Sequence, residues 1–505
     1  MRSRFFLSGV MATIVALSGC SSRTESGPSL MPSQVAQARQ GQVRTPSSLG
    51  AYPISLDAFP SSVGAFPISL DAIPICSSLP LPRTASGSIV GAVVGVVGGL
   101  VGGLAGGLLG LGGSDQSNAP SGPSGLGQVT APVGGLLSTV TKKATCGGSV
   151  RTGYGIPAGT PASKLPGYQP LHLQGAYGLR NAAKTLGAGQ TVAIVTAYAD
   201  GTVDSDLAVY RSTFGLPACT VANGCLTIMA PNGAPPANTA WAAETAIDTE
   251  MVSAICPLCK IVVVEAKSGN IPDLGNAVDA AAALNPAAIS NSYAVPEFSD
   301  NVAYAQHWRH ANTIVLAGAG DTGYGSNFPA TVDTVVAVGG TTLPQNSDGT
   351  FGRQTVWTGS GSGCSSYIAK PSWQTDQGCA FRTANDIAVV ADPKTGVAGY
   401  SSHQNGWAVY GGTSIATPMV AAMFALAGKT STMQDASGLY DPSLRYAWVL
   451  GSNGTCAPTY LCTATGRAYN GPAGNGVPFG LSYFGLTGYD DPYSVTGPTP
   501  VAAAQ

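Results

Sequence analysis

The chain has 505 residues, and only 10% of them are charged, against about 25% in ordinary soluble domains. Its formal net charge is −2, so it lacks the excess of basic residues that binds a phosphate backbone, and nucleic acid is excluded as an expected partner. Apolar residues make up 44% of the chain, which excludes a wholly disordered protein. The average conceals a division, because residues 1–163 carry an excess of bases and residues 164–505 an excess of acids.

The amino terminus has the form of an export signal. Arg2 and Arg4 precede an apolar stretch over 5–17, which ends in Leu-Ser-Gly-Cys at residues 17–20. We therefore predict a signal peptide over residues 1–19. The ending resembles a bacterial lipobox, which implies cleavage before Cys20, a lipid on its thiol, and a place in the cell envelope, at the outer membrane or the cell surface. The alternative is an ordinary signal peptide in which the cysteine occurs by chance.

Residues 20–163 have low sequence complexity and divide into three parts. Residues 20–86 are rich in Ser, Pro and Gly, residues 87–113 carry no charge, and residues 114–163 are a predicted linker. In the middle part, glycines recur at every fourth residue among Val, Leu and Ile. On a helix these glycines form one stripe, which predicts a membrane-inserted or self-associating segment. The alternative is a flexible linker, because each glycine destabilises a helix by about 1 kcal/mol.

The region over 164–500 has the sequence pattern of an α/β domain. Apolar, β-branched runs that predict strands alternate with Ala-rich stretches that predict helices. The predicted strands span 190–197, 260–265, 313–317 and 332–338, and the predicted helices span 239–255, 274–284 and 414–428. Continuous apolar strands between helices indicate a parallel sheet with helices on both faces.

An acidic pair lies on the predicted helix 239–255. Glu244 and Asp248 are four residues apart and share one helical face, where like charges repel each other. In a chain with so few charges, such a pair is suited to share a proton and to act as a base in acid. The alternative is a solvated acidic face with Glu250 as a third member. The histidines lie in no small-residue context typical of a catalytic loop; they are His172, His307, His310 and His403.

Two further residues stand where catalytic groups are often placed. Asp321 follows the predicted strand 313–317 in a Gly-rich loop, and a protonated carboxyl there can donate a hydrogen bond to an oxyanion. Ser414 opens a predicted helix, in the positive field of its first turn. The simpler interpretations are an Asx turn for Asp321 and a helix N-cap for Ser414.

Three motifs occur in the order acid pair, aspartate, serine. They are Glu-Thr-Ala-Ile-Asp-Thr-Glu-Met over 244–251, Ala-Gly-Asp-Thr-Gly-Tyr-Gly over 319–325, and Gly-Gly-Thr-Ser-Ile-Ala-Thr-Pro over 411–418. Together they resemble the sedolisins, serine-carboxyl peptidases with a subtilisin-like fold, and the resemblance covers nearly all of 165–480. A subtilisin-like parallel sheet, preceded by a low-complexity region, is therefore the expected fold.

The resemblance also implies a role for each candidate residue. Ser414 would attack the scissile carbonyl, and Glu244 would take and return its proton. Asp248 would orient Glu244, and Asp321 would stabilise the tetrahedral oxyanion. Because a carboxylate base works best near its own pKa, the expected activity is endopeptidase cleavage of proteins or peptides in acid.

Two features depart from the family. Sedolisins usually carry a folded propeptide before the catalytic domain, whereas the preceding region here is low in complexity, which argues against maturation by prosegment removal. The family's calcium site uses two aspartates, and our alignment places Ala447 and Asn470 at those positions. Because a hard cation favours carboxylate oxygens, we expect no calcium and no other cofactor. In a different register, Asp490 and Asp491 would supply the carboxylates.

The cysteine count fits an exported protein. The chain has 11 cysteines, which leaves an even number for disulfides if Cys20 carries a lipid. The predicted short-range pairs are Cys219 with Cys225, Cys256 with Cys259, Cys364 with Cys379, and Cys456 with Cys462. A further candidate pair is Cys76 with Cys146. The alternative for Cys256 and Cys259 is a zinc half-site or redox pair, but no second pair of matching spacing follows.

Two functions remain open at this point. The first is an exported, lipid-anchored acid endopeptidase, whose membrane contacts are the lipid and, in one interpretation, the Gly-rich segment. The second is a catalytically inactive surface protein that keeps the peptidase fold for binding or adhesion. The complete set of candidate catalytic residues favours the first, and the missing prosegment favours the second.

Overall fold

The computed structural model describes residues 72–74, 142–146, 149–428, 433, 435–444 and 446–489. The predicted signal peptide, the Gly-rich segment 87–113 and several candidate residues lie outside the described residues; the residues are Cys20, Cys76, Asp490 and Asp491. Within the described part of the chain, no helix combines the length and the apolar composition needed to cross a membrane.

In chain order the strands are β1 (Ala72–Pro74), β2 (Thr145–Cys146), β3 (Ser149–Ile156), β4 (Thr191–Ala197), β5 (Leu226–Met229), β6 (Lys260–Ala266), β7 (Ala288–Asn291), β8 (Tyr293–Pro296), β9 (Ile314–Gly318), β10 (Asn327–Phe328), β11 (Val336–Thr342), β12 (Thr355–Val356), β13 (Gly363–Ala369), β14 (Phe381–Ala384), β15 (Ile387–Val390), β16 (Val397–Ser401), β17 (Gly406–Gly411), β18 (Val449–Ser452) and β19 (Thr463–Gly466). The helices are α1 (Pro170–Ala176), α2 (Arg180–Thr185), α3 (Val203–Thr213), α4 (Thr239–Ile255), α5 (Ile271–Ala283), α6 (Asn301–Tyr304) and α7 (Thr413–Ala427).

A ten-stranded sheet forms the centre of the domain. Its strands lie in the order β19-β18-β12-β11-β9-β7-β4-β6-β5, and β15 also pairs with β11. From β5 to β11 and β15 every pairing is parallel. The predicted parallel sheet is therefore confirmed, with antiparallel pairings of β12 to β11 and β18 to β19 towards one edge.

Helices cover both faces of this sheet. Along β4, Val192 and Ile194 belong to the same apolar core as residues of α4 and α7. The alternating residues Ala193 and Val195 belong to a second core that contains the apolar side of α5. Because successive side chains of a strand point to opposite faces, a strand buried on both sides must be apolar throughout. The α/β architecture expected from the sequence is confirmed.

Most predicted elements match the observed ones, and one strand is displaced. Helix α4 has the predicted bounds, and α7 begins one residue before the predicted start. The strand predicted over 332–338 instead spans Val336–Thr342, because residues 329–335 form turns and the strand continues through two glycines. A Cβ on Gly339 would approach the Pro472 carbonyl oxygen to 2.5 Å, so glycine here serves close packing and does not end the strand.

Part of the segment predicted as a linker takes part in the folded domain. Strand β2 pairs antiparallel with β8, where Cys146 lies opposite Tyr293. Strand β3 pairs antiparallel with β17, where Ser149 lies opposite Gly411. Backbone hydrogen bonds make these pairings, and they require no apolar pattern in the sequence. Composition alone therefore placed the start of the domain at residue 164, although paired strands precede it.

Candidate active site

Ser414 lies at the start of a buried helix. Strand β17 ends at Gly411, and the backbone turns at Gly412, whose φ of 120° favours glycine, before α7 begins at Thr413. Ser414 is 2% exposed, and its Oγ has no hydrogen-bond partner among the described residues. Buried hydroxyls are normally paired, so this atom calls for an explanation. Its position in the first helical turn places it in a positive field, as the sequence predicts.

The acidic pair lies on α4, which packs against α7 beneath the sheet. Glu244 and Asp248 are each 1% exposed. Burial raises the pKa of Asp248 well above its ordinary value, and the charge of Glu244 raises it further, while a hydrogen bond with Ser292 lowers it. The Asp248 Oδ1 atom has no hydrogen-bond partner among the described residues. Two buried carboxyls in this arrangement hold a proton between them more readily than an isolated carboxyl does.

The alternative of a solvated acidic face is wrong. Glu250 is fully buried, and both of its carboxylate oxygens accept hydrogen bonds from the Tyr400 N–H, at 3.2 and 3.0 Å. Burial raises its pKa well above the ordinary value, the Tyr400 bond lowers it, and the charge of Asp206 raises it. Glu250 therefore anchors the backbone of β16 to α4. The helix is buried on all sides because strands, α1, α3 and α7 surround it.

Asp321 follows β9 and reaches the residue next to Ser414. Its Oδ1 accepts two hydrogen bonds from Thr413, one from the backbone N–H and one from the hydroxyl, each at 2.8 Å. Its Oδ2 is a buried atom with no hydrogen-bond partner among the described residues. Burial raises the pKa of Asp321 to about 7, and the Thr413 bonds lower it. In acid this carboxyl is neutral and has a proton to donate.

Thr413 and Ser292, which the sequence analysis did not place in the site, connect the candidate catalytic residues to one another. Thr413 links Asp321 to the helix and also accepts a hydrogen bond from the Gly320 N–H at 3.1 Å. Ser292, 3% exposed, donates from its Oγ to the Ser414 carbonyl oxygen at 3.2 Å. A signal for Ser292 was present, because it directly follows β7, the neighbour of β9, and the carboxyl ends of parallel strands meet at one edge of a sheet.

The structure thus brings the predicted catalytic residues to one place. Thr413 joins Asp321 to Ser414. Ser292 donates to the Ser414 carbonyl, and its side chain lowers the pKa of Asp248. Glu244 lies one helical turn from Asp248 and acts on its pKa. Chemically, the site offers a hydroxyl in a positive field, an acid pair suited to transfer a proton, and a neutral carboxyl suited to stabilise an oxyanion.

None of the histidines forms part of this site. His172 accepts a hydrogen bond from the Gln169 N–H. His307 and His310 both contact Asp279, and His403 lies 3.5 Å from Asp200. A serine–histidine arrangement is therefore absent from the described part of the chain, which contains all of the histidines.

The cysteines form the four disulfides that the sequence predicts; they are Cys219–Cys225, Cys256–Cys259, Cys364–Cys379 and Cys456–Cys462. The alternative of a zinc half-site at Cys256 and Cys259 is wrong, because these residues bond to each other. Cys146 is also disulfide-bonded.

The residues at the family's calcium position do not fit a hard cation. The Asn470 Oδ1 accepts a hydrogen bond from the Ala473 N–H at 3.0 Å, so this oxygen is engaged within its own turn. Ala447 has no donor side chain, and its backbone pairs with that of Val477 in both directions at 2.9 Å. Among the described residues, no group of three or more His, Cys, Asp or Glu side chains could hold a metal ion. The expected lack of calcium stays a prediction.

Parts of the chain are similar to known peptidases. Residues 233–437 match the subtilase family, peptidase family S8. Sedolisin from Pseudomonas sp. (strain 101) is 35% identical over 114 residues, which are 20% of this chain and 19% of that protein. The match thus spans about a fifth of that relative's length.

Two solved structures are similar to this chain to different degrees. Pseudomonas sedolisin, a serine-carboxyl proteinase complexed with two molecules of pseudo-iodotyrostatin, matches with a TM-score of 0.54 and 23% identity, over 62% of this chain and 96% of that chain. Fervidolysin from Fervidobacterium pennivorans, a keratinolytic enzyme related to subtilisin, matches with a TM-score of 0.38 and 12% identity, over 62% of this chain and 45% of that chain. The match to the subtilase family and the architecture shared with Pseudomonas sedolisin show that the chain has a subtilisin-like fold.

Proposed function

We propose that this chain is a serine-carboxyl endopeptidase that hydrolyses peptide bonds of proteins or peptides at acidic pH. The observation that carries the proposal is the link between Asp321 and Ser414 through Thr413. It leaves a buried carboxyl oxygen, Asp321 Oδ2, and a buried hydroxyl, Ser414 Oγ, without protein partners among the described residues. A substrate carbonyl bound between the two atoms would satisfy both.

The proposed reaction proceeds in two halves. Ser414 Oγ attacks the carbonyl carbon of the scissile bond while its proton passes to Glu244, and the protonated Asp321 donates a hydrogen bond to the oxyanion. The C–N bond then breaks, and Glu244 returns the proton to the leaving amine, which leaves an acyl group on Ser414. A water molecule then attacks the acyl carbon while its proton passes to Glu244. The C–O bond to Ser414 breaks, Glu244 returns the proton to Ser414 Oγ, and the carboxylic acid product leaves. Asp248 orients Glu244 and shares its proton.

The test is cleavage of a denatured protein across pH 3–7, with the products located by mass spectrometry. Ser414→Ala is expected to lose activity, and internal cleavage sites are expected in the products of the wild type. Ser290→Ala is a matched control, because Ser290 is a fully buried serine on β7 whose Oγ has no partner among the described residues. Equal activity of wild type and Ser414→Ala would remove Ser414 from the mechanism. A folded but inactive wild type would favour the inactive binding or adhesion protein instead.

We also propose that the chain is exported and anchored to the cell envelope by a lipid on Cys20. The sequence Leu-Ser-Gly-Cys after an apolar stretch supports this, and the disulfides suit an oxidising compartment. Metabolic labelling with a radioactive fatty acid is expected to mark the wild type and not Cys20→Ser. Deletion of residues 87–113 in the Cys20→Ser background then tests the Gly-rich segment, since membrane association that survives loss of the lipid and disappears on deletion would assign it to that segment.

A further inference from the structure

The carbonyl of Ser414 lacks the partner that an α-helix normally provides. In a helix, the carbonyl of residue 414 accepts from the N–H of residue 418, but residue 418 is Pro418, inside α7, and proline has no N–H. An unsatisfied buried carbonyl is destabilising. The hydroxyl of Ser292 replaces the missing N–H donor. Its Oγ donates to the Ser414 carbonyl oxygen at 3.2 Å, although the two residues are 122 positions apart in the sequence.

The same hydroxyl also acts on the acid pair. Hydrogen bonding by the Ser292 side chain lowers the pKa of Asp248. A hydroxyl has one proton to donate and can accept as well. When Asp248 is ionised, the Ser292 proton is drawn to its carboxylate, because charge-assisted hydrogen bonds are stronger than neutral ones. When Asp248 is protonated, it can donate to Ser292, and the Ser292 proton remains with the Ser414 carbonyl.

We propose that Ser292 is a positioning residue of this site, whose hydroxyl supplies the hydrogen bond that Pro418 withholds from the Ser414 carbonyl and couples that carbonyl to Asp248. The first turn of α7, which carries the nucleophile, is then held in place when Asp248 is protonated and is released when Asp248 ionises. This inference rests on the proposed peptidase function. Ser292 does not contact the reacting atoms, so it acts through Asp248 and the backbone of Ser414.

The first test compares Ser292→Ala with the control Ser290→Ala. Ser290 is a buried serine two residues earlier, on β7. Ser292→Ala is expected to lower kcat about 10- to 100-fold with little change in KM, because the substrate is not touched. Ser290→Ala is expected to keep wild-type kcat. A loss of kcat no greater in Ser292→Ala than in Ser290→Ala would overturn the inference.

The second test uses the missing N–H. Pro418→Ala restores an N–H four residues after Ser414, so the helix can satisfy the carbonyl by itself. Ser292→Ala is therefore expected to cost kcat at most about 3-fold in the Pro418→Ala background, against 10- to 100-fold in the wild-type background. An equal loss in both backgrounds would show that Ser292 does not serve this carbonyl.

The pH profile distinguishes positioning from simple loss of structure. Two kinds of group titrate around the nucleophile: the pair Glu244 and Asp248 on α4, and Asp321, which arrives from β9. Removal of the Ser292 hydroxyl takes away a bond that lowers the pKa of Asp248, so the alkaline limb of kcat is expected to move to higher pH. A reduced but unshifted profile would indicate a structural role only.

The outcomes separate this inference from the proposed function. If the wild type is inactive, or if Ser414→Ala is as active as the wild type, the peptidase proposal fails first. If Ser414→Ala is inactive and Ser292→Ala has wild-type kcat and pH profile, only the role of Ser292 fails. Should Ser292→Ala not fold, Ser292→Cys keeps a weak donor of similar size, and it is expected to show a smaller loss of kcat and the same direction of pH shift. Wild-type behaviour of Ser292→Cys at every pH would then overturn the inference.

Discussion

Thr413 gives both its backbone N–H and its hydroxyl to one carboxylate oxygen of Asp321, at 2.8 Å each. This double contact sets the distance between the loop after β9 and the first turn of α7. It occupies Oδ1 and leaves Oδ2 for another partner. The position of Asp321, the oxyanion donor of the proposed mechanism, therefore depends on a threonine that takes no chemical part in that mechanism.

Replacement of this threonine tests that dependence. Thr413→Val keeps the shape of the side chain and removes the hydroxyl, so one of the two bonds that lower the pKa of Asp321 is lost. We expect kcat/KM in acid to fall about 10-fold, from the loss of one orienting hydrogen bond, and the alkaline limb to move to higher pH. Thr413→Ser, which keeps the hydroxyl, is expected to stay close to the wild type. Equal losses in both variants would contradict this account.

The raised pKa of Asp321 predicts a pH dependence of stability. An Asp in the unfolded chain titrates near its ordinary value of about 3.9, whereas burial raises the pKa of Asp321 to about 7 in the folded state. Between these values the folded state holds a proton that the unfolded state has lost, so the stability from this group is present in acid and is lost as pH rises through about 7.

Asp321→Asn removes this titration while it keeps the shape. From pH 4 to pH 7 the free energy of unfolding is expected to fall by about 2 kcal/mol less in Asp321→Asn than in the wild type, once the partial exposure of Asp321 is allowed for. Denaturant unfolding at several pH values measures the difference. Parallel pH dependence in the two proteins would show that Asp321 is ionised in the fold.

Glu244 and Glu250 lie on the same helix and are both buried, so they provide a matched pair of substitutions. Glu244→Gln cannot take a proton from Ser414, and kcat is expected to fall about 10²- to 10⁴-fold. Glu250→Gln keeps an oxygen that accepts from the Tyr400 N–H, so kcat is expected to stay within about 3-fold of the wild type. A large loss of kcat in a folded Glu250→Gln variant would indicate that Glu250, and not Glu244, accepts the proton.

Removal of divalent cations is expected to leave the protein unchanged. Ala447 pairs with Val477 through backbone hydrogen bonds, and the Asn470 side chain accepts a hydrogen bond within its own turn, so neither residue offers a carboxylate to an ion. Treatment with a chelator should shift Tm by less than about 1 °C, since a cation that binds only the folded state would stabilise it. A stoichiometric calcium content in purified protein, with a lower Tm after chelation, would contradict the prediction.

Strand β8 begins directly after Ser292, and β2 pairs with one of its two edges. Extended peptides commonly bind to such an edge through backbone hydrogen bonds, so β2 and a substrate would compete for it. Thr145→Pro weakens the pairing, because proline cannot donate to a strand neighbour. We expect KM for an extended peptide to fall several-fold in Thr145→Pro and to stay unchanged in Thr145→Ser. An unchanged KM in both variants would show that substrates approach by another route.

Sequence reasoning predicts catalytic roles for Ser414, Asp321, Glu244 and Asp248, because each lies in a short motif whose local conformation the sequence predicts. It did not identify Thr413 or Ser292 as parts of the site, because their roles depend on partners far along the chain. Thr413 meets Asp321 across 92 residues, and Ser292 meets Ser414 across 122. Contacts between residues so far apart in the sequence leave no periodic pattern in it.

The amino-acid sequence alone predicts the elements and the local chemistry of this protein: its apolar strands, the helix that carries two acids one turn apart, and the disulfides between near neighbours. These features follow from interactions within a few residues, which composition and periodicity report directly. Which side chains are buried, and which distant residues contact each other, follows from the tertiary structure. It placed Glu250 inside, paired β2 and β3 with the domain, and used Ser292 to complete a helix that Pro418 interrupts. Burial and long-range hydrogen bonds depend on which strands become neighbours, and only the folded chain establishes that order.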